Sequence, residues 1–330
     1  MGACYNRVKG MAMTKRAIFY TSAAIALTIV IIVTYSTYSA YRLSDKMEVI
    51  QTRIETVNFF IKDVENDLNN GIYIAGFRSL LSFNQYISTN GTFLDNVNSR
   101  FKESFLNGTI NNQHLSFMQD STFTDWANKI SAEADKVDII FNFTVNDIKI
   151  NQSDPWSVDI SITISLEIRD KKDTSYWVRD RNLKRTISII GFEDPLYVIN
   201  SNGRVPNAIT PTNITNFVVN GSVANLLVHT NNSYYISHND SPSFLMRLEG
   251  NLGNSTLGIE SLVNLAKFQQ QGLTLKDRSV VDYIYFGTKT TTNYRINNTP
   301  DWFKIDGSPP APGPSLGDHL DIYQVRNITI

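Results

Sequence analysis

LSDKMEVIQTRIETVNFFIKDVENDL, residues 43–68, carries Leu43, Met47, Ile50, Ile54, Val57, Ile61, Val64 and Leu68 at alternating steps of four and three. That spacing is a heptad seam down one side of a helix. Between its members lie Asp45, Lys46, Glu48, Arg53, Glu55, Lys62, Asp63 and Glu65, which suit the solvated faces of the same helix. Two readings of the seam are open. It packs on the protein's own globular part, or it pairs with other copies as a coiled coil.

Upstream, Ala17 to Val33 reads AIFYTSAAIALTIVIIV, and no charge follows until Arg42. At about 1.5 Å per residue, roughly 20 to 25 such residues cross a ~30 Å hydrocarbon core. Residues 17–41 are therefore expected to form a transmembrane helix in a lipid bilayer. Arg7, Lys9, Lys15 and Arg16 precede it, whereas Arg42, Asp45, Lys46 and Glu48 after it are mixed in sign. The positive-inside rule assigns residues 1–16 to the cytoplasm and the bulk of the chain to the outside. A secretory signal has an apolar core of about 7 to 15 residues; the longer run here points to a retained signal-anchor. Neither Gly nor Pro occurs from Ala17 to Asn70, so the two helices should join into a rod of about 50 residues, roughly 80 Å long.

Downstream, Ile72 to Ile87 (IYIAGFRSLLSFNQYI) predicts a second helix, apolar on most of its circumference and so buried between layers, with Arg78 as the partner of an acid. Shorter helices are expected at 94–106 and 122–137, the latter with Ser121 or Thr122 as cap and Asp125 in the capping-box position. In VDISITISLEI, 158–168, Val158, Ile160, Ile162, Ile164, Leu166 and Ile168 alternate with polar residues, the mark of a half-buried antiparallel strand. Val137 to Val145 before it and Tyr176 to Ile190 after it complete a meander, with Asn142 on its wet face. A helix at 258–270 and strands at 280–286 and 294–296 follow. Ser308 to Pro314 (SPPAPGP) reads as an extended loop. The expected fold class is α+β: a long transmembrane and stalk helix, then helices packed on an antiparallel sheet, then a loop-rich C-terminal half. Its divisions are 1–16, 17–41, 42–90, 91–200 and 201–330.

From Arg42 onward 26 basic residues face 31 acidic ones, with no basic surface of the kind a nucleic-acid partner requires. The only cysteine, Cys4, precedes the membrane segment, so the rest of the chain holds no disulfide. Asn-X-Ser/Thr sequons begin at Asn90, Asn107, Asn142, Asn151, Asn213, Asn220, Asn231, Asn239, Asn254, Asn297 and Asn327. All lie beyond the membrane segment, where glycan acceptors belong. His114, His229, His238 and His319 are scattered, and the densest metal-like clusters, His238-Asn-Asp240 and Asp318-His319-Leu-Asp321, read as solvated loops. Glu193-Asp194-Pro195 reads as a turn. No catalytic, cofactor or metal site is expected.

The order of IYIAGFRSLL (72–81), DPWSVDISI (154–162), SIIGFEDPLYVIN (188–200), GIESLVNL (258–265) and VVDYIYF (280–286) behind a basic N-terminus and membrane helix resembles a family of uncharacterised archaeal membrane-anchored surface proteins. Members often accompany type IV pilus-like machinery, and the architecture is similar to a type IV pilin. The resemblance implies self or other pilin-like surface proteins as partners. Pilin processing would place its cut after the Arg16-Ala17 pair or after Gly10, but the fifth residue beyond these cuts is Ser22 or Lys15 rather than the usual Glu. The expected function is a membrane-anchored, N-glycosylated surface protein with a structural or interaction role, with a single-copy ligand-binding or scaffold ectodomain as the alternative.

Overall fold

In the computed structural model, residues 15–308 and 318–330 are described, with side chains from residue 19 onward. Cys4, Arg7, Lys9, Gly10 and all of the 308–314 loop except Ser308 lie outside the described residues. The chain is α+β. One helix, α1 (Lys15–Asn90), absorbs the apolar segment, the seam and the second helical pattern, giving 76 residues and about 114 Å of length. This corrects the expectation of a shorter rod followed by a separate helix. Gly71 and Gly76 do not break α1 but let it lie flush on its neighbours. A Cβ on Gly71 would stand 2.9 Å from the Trp126 ring, and one on Gly76 would stand 2.1 Å from Ile160 Cδ1. The helix-propensity cost of glycine, about 1 kcal/mol each, is offset by that close approach.

After α1 comes α2 (Val97–Asn107), capped by the Asn96 side chain and closed by Gly108 in the left-handed region. A small hairpin, β1 (Thr109–Ile110) and β2 (Gln113–His114), leads to α3 (Phe123–Lys136). Thr122 and Asp125 form the expected capping box, each side chain accepting the other's backbone N–H. The meander β3 (Ile139–Asp154), β4 (Ser157–Asp170) and β5 (Tyr176–Ser188) is antiparallel in that order. All six apolar residues of the β4 alternation are buried.

β3 runs well past Val145 because a one-residue bulge between Val145 and Asp147 shifts its inward positions from odd to even numbers. Ile148 and Ile150 thereby join the core that holds Ile139 and Phe141. Val137 is not in the strand; it is the exposed C-cap of α3. The helices cover the apolar face of the sheet. Phe83, Phe101, Phe105, Phe123 and Trp126 pass from α1 through α2 to α3, with neighbouring ring centroids 5.1–6.4 Å apart.

The C-terminal half is built from short pieces: α4 (Pro195–Asn200), α5 (Ala224–Asn232), β6 (Tyr235–Ser237), α6 (Phe244–Leu248), β7 (Ile259–Ser261), α7 (Leu265–Gln270), α8 (Asp282–Phe286), β8 (Asn293–Arg295), β9 (Lys304–Asp306) and α9 (His319–Ile322). β6 pairs with β7, and β8 with β9, both antiparallel. Two expectations are corrected here. The helix read over 258–270 begins only at Leu265, where Asn264 caps it, and the residues ahead pair as β7. The strand read over 280–286 is largely α8. Tyr283, Ile284, Tyr285 and Phe286 are all buried, as suits a short helix enclosed on every side. These pieces surround a second apolar cluster that includes Leu196, Leu226, Val263, Phe268, Phe303 and Tyr323.

Candidate functional site

The heptad seam of α1 meets two fates. Val57, Ile61, Val64 and Leu68 are buried in the core shared with the meander, while Leu43, Met47, Ile50 and Ile54 are 39–63% exposed. Arg53 marks the boundary. Its Nε donates to Asp170 Oδ1 at 2.5 Å and its Nη2 to the Asp138 carbonyl at 2.7 Å, which pins α1 to the rim of the sheet. Glu65 pairs with Arg179 and Arg181 of β5, and Asp67 accepts from the Trp126 indole at 2.8 Å. Among the described residues Arg78 has no acid partner, contrary to expectation; it donates to the Phe117 carbonyl and Ser121 Oγ.

Toward its start α1 is apolar and exposed on all sides, from Phe19 through Val33 to Tyr41. It is the one helix among the described residues long and apolar enough to cross a membrane. Several of its hydroxyls bond within the helix: Thr28, Thr34 and Thr37 each donate to the carbonyl four residues back, at 2.6–3.0 Å. All eleven sequon asparagines, from Asn90 to Asn327, are exposed, whereas Asn84 and Asn264, outside any sequon, are buried.

The chemistry is concentrated in the C-terminal half, around β7. Its flanking residues face a buried charge cluster. Arg247, fully buried, donates to Asp194 Oδ2 at 2.5 Å, to Asp282 Oδ2 at 3.0 Å and to the Ile259 carbonyl. Ser261 gives both its N–H and its hydroxyl to Asp282 Oδ2, and the Tyr235 hydroxyl donates to Asp194 Oδ2. Burial pushes the Asp282 carboxyl up, and the neighbouring Asp194 adds to this against the pull of Arg247. Asp194 is therefore more than the turn residue read from Glu193-Asp194-Pro195: it caps α4 through the Leu196 N–H and anchors this cluster.

The middle residue of β7, Glu260, points the other way. Its Oε2 lies 2.7 Å from His238 Nδ1 and 3.2 Å from His319 Nε2, and its Oε1 accepts from the Tyr323 hydroxyl at 3.0 Å. On the far side of His319, Nδ1 meets Asp306 Oδ2 at 2.9 Å, while His238 Nε2 stands 4.0 Å from Asp240 Oδ2. Tyr283 places its hydroxyl 3.2 Å from His319 Nε2. Burial alone would raise the Glu260 carboxyl, but the charge of His319 and the hydrogen bonds from His238 and His319 hold it far below the usual range. Burial likewise opposes charge on His319, and Glu260 with Asp306 overcomes it, so the imidazole is held well above its ordinary pKa.

The two loops read as solvated are thus drawn together on one buried carboxylate. His238 and His319 side chains are only 12% and 7% exposed, and Glu260 is fully buried. The signal in the sequence was the local acid and histidine density at 238–240 and 318–321; the third member, Glu260 within GIESLVNL, gave none. His229 and His114 stay apart. His229 is buried against Phe217 and Tyr323 with neither ring nitrogen hydrogen-bonded among the described residues, and His114 is exposed on β2. Beside His319 a polar cleft of about 460 Å³ opens among Asp240, Tyr283, Lys289, Thr291, Asp306 and Asp318. Compared with protein-family models, curated proteins and solved structures, the chain finds no match.

Proposed function

We propose that this chain is a single-pass, membrane-anchored surface protein with a structural or interaction role, built like a type IV pilin, with its head N-glycosylated outside the cell. The observation that carries this reading is the wholly exposed apolar start of α1, with the hydroxyls of Thr28, Thr34 and Thr37 bonded inside the helix. Such a surface is costly in water and suited to hydrocarbon, where every backbone and hydroxyl donor needs an internal partner. The basic residues ahead of it favour a cytoplasmic N-terminus, and eleven exposed acceptors are what a glycosylated head requires.

The exposed half of the seam, next to the bilayer, meets a second copy of the chain as a short coiled coil. Tethering both copies to one plane raises their effective concentration, so a contact of four apolar residues per chain suffices. A single-copy ectodomain is the rival reading, and the polar cleft beside His319 is the feature in its favour. Carbonate washing of membranes should leave the full chain in the pellet, and crosslinking in native membranes should give dimers or higher multimers. Met47→Lys combined with Ile50→Lys should abolish the crosslinked species while shifting unfolding of the head by no more than about 0.5 kcal/mol, as for other exposed sites. Release of the intact chain by carbonate overturns the anchor. Crosslinking as a monomer only overturns the second-copy contact and leaves the single-copy reading.

A further inference from the structure

His238 Nδ1, Glu260 Oε2 and His319 Nε2 converge from three segments, the loop after β6, the strand β7 and the helix α9, with one ligand atom from each residue lying within 4.8 Å of the others. Ligand atoms bound tetrahedrally at about 2.0 Å are separated by roughly 3.3 Å, and the Glu260 oxygen stands 2.7 and 3.2 Å from the two nitrogens. Two of the three groups are also held from behind. Asp306 takes the other nitrogen of His319 and Tyr323 donates to the other oxygen of Glu260, while Asp240 stands 4.0 Å from the other nitrogen of His238, beyond hydrogen-bond reach. A carboxylate hydrogen-bonded behind a ligating histidine, as Asp306 is behind His319, fixes its tautomer and orientation and raises its basicity, a usual outer-shell feature of a protein metal site.

We propose that His238, Glu260 and His319 bind one divalent first-row transition-metal ion, zinc above all, with the fourth coordination position left to water. Two imidazoles and one carboxylate form a borderline donor set that suits Zn²⁺ and Fe²⁺ over Ca²⁺ or Mg²⁺, which take oxygen ligands. His319, Asp306 and Tyr283 line the polar cleft as well, which gives the ion a path to solvent and the fourth position room for an exchangeable ligand. The ion would also tie three short segments of a half that holds no cysteine, so that binding contributes directly to folding stability. The proposal is independent of how α1 is anchored or whether the chain pairs.

The test uses the full chain in detergent, stripped with a chelator and then dialysed against Zn²⁺, Co²⁺, Fe²⁺ or Mn²⁺ in turn. Elemental analysis should find one Zn²⁺ per chain, thermal unfolding should move up with the metal, and the Co²⁺ form should show the intense visible bands of a four-coordinate site. His238→Ala, at the more exposed edge, keeps the Glu260–His319–Asp306 cluster and so the fold, and should lose bound Zn²⁺. Asp306→Asn should keep the stoichiometry at saturation and weaken affinity roughly 10- to 100-fold. His229→Leu should leave binding unchanged. A wild-type chain that takes up none of the four ions above background overturns the proposal, as does His238→Ala binding Zn²⁺ with unchanged affinity. The cluster would then be a buried ion pair only.

Discussion

The two cores of this protein are made of different material. The first, between α1, α2, α3 and the meander, is almost wholly aliphatic and aromatic and is served by long elements: a 76-residue helix and strands of 13 to 16 residues. The second is enclosed by helices of at most nine residues and strands of three, and buries Arg247, Asp194, Asp282, Glu260 and His319 beside its apolar cluster. Long elements satisfy their own backbone and need only a greasy face. Short ones leave many ends unpaired, and here charged side chains such as Arg247 and Asp194 bond those ends. The contrast teaches that the same chain is held by hydrophobic area at one end and by polar networks at the other.

Removing the charge that holds the second core should have the largest effect. Among the described residues Arg247 is the one cation paired with Asp194 and Asp282, so Arg247→Ala leaves both buried without it, and the loss expected for breaking such a pair is about 3–5 kcal/mol. Denaturant unfolding would measure it. A change under about 1 kcal/mol would mean that the apolar cluster alone carries this half, and the contrast would fail.

Acid should then separate the cores. His229 is kept neutral by burial, with its pKa lowered to about 4 against a partial pull from Glu260. Between pH 6.5 and 4 the unfolded chain binds a proton there that the folded chain does not. Stability therefore falls as pH drops through that window, by about 3 kcal/mol in all for this group. His229→Leu should flatten that part of the pH profile, and an unchanged slope would show that the site opens to water.

The smallest effect belongs to the first core and to a lower pH. Burial would raise Asp170, but the hydrogen bonds of Thr174 and Arg53 prevail and lower it to about 2. Its contribution is complete above the ordinary value of 3.8 and is lost as pH falls toward 2, an amount of about 2 kcal/mol at most. Arg53→Met should shrink that acid-induced loss and loosen α1 from the sheet rim, seen as faster amide exchange around Asp138 and Asp170. Equal exchange in the variant would assign the docking of α1 to Val57, Ile61, Val64 and Leu68 alone.

How legible each region was follows from the same contrast. Period-two alternation in 158–168 and heptad spacing in 43–68 repeat often enough to be read directly, and the capping box at Thr122 and Asp125 is local by nature. The β3 bulge at 145–147 hid Ile148 and Ile150 because one extra residue inverts the parity on which such a reading depends. In α8 and β7 the runs are three to five residues long. At that length an enclosed helix and an enclosed strand show the same unbroken apolar pattern, and tertiary contacts choose between them.

By itself the sequence determined the continuous apolar and amphipathic helix, the antiparallel meander and the α+β class, because each rests on a repeat whose period is set by backbone geometry. It also marked the eleven asparagines and the two acid–histidine clusters as places. Tertiary structure alone decided that the seam is half buried and half bare, since an apolar stripe does not encode where its partner ends. It alone brought His238, Glu260 and His319 onto one point, because residues distant in the chain share a site only when packing closes the loops between them.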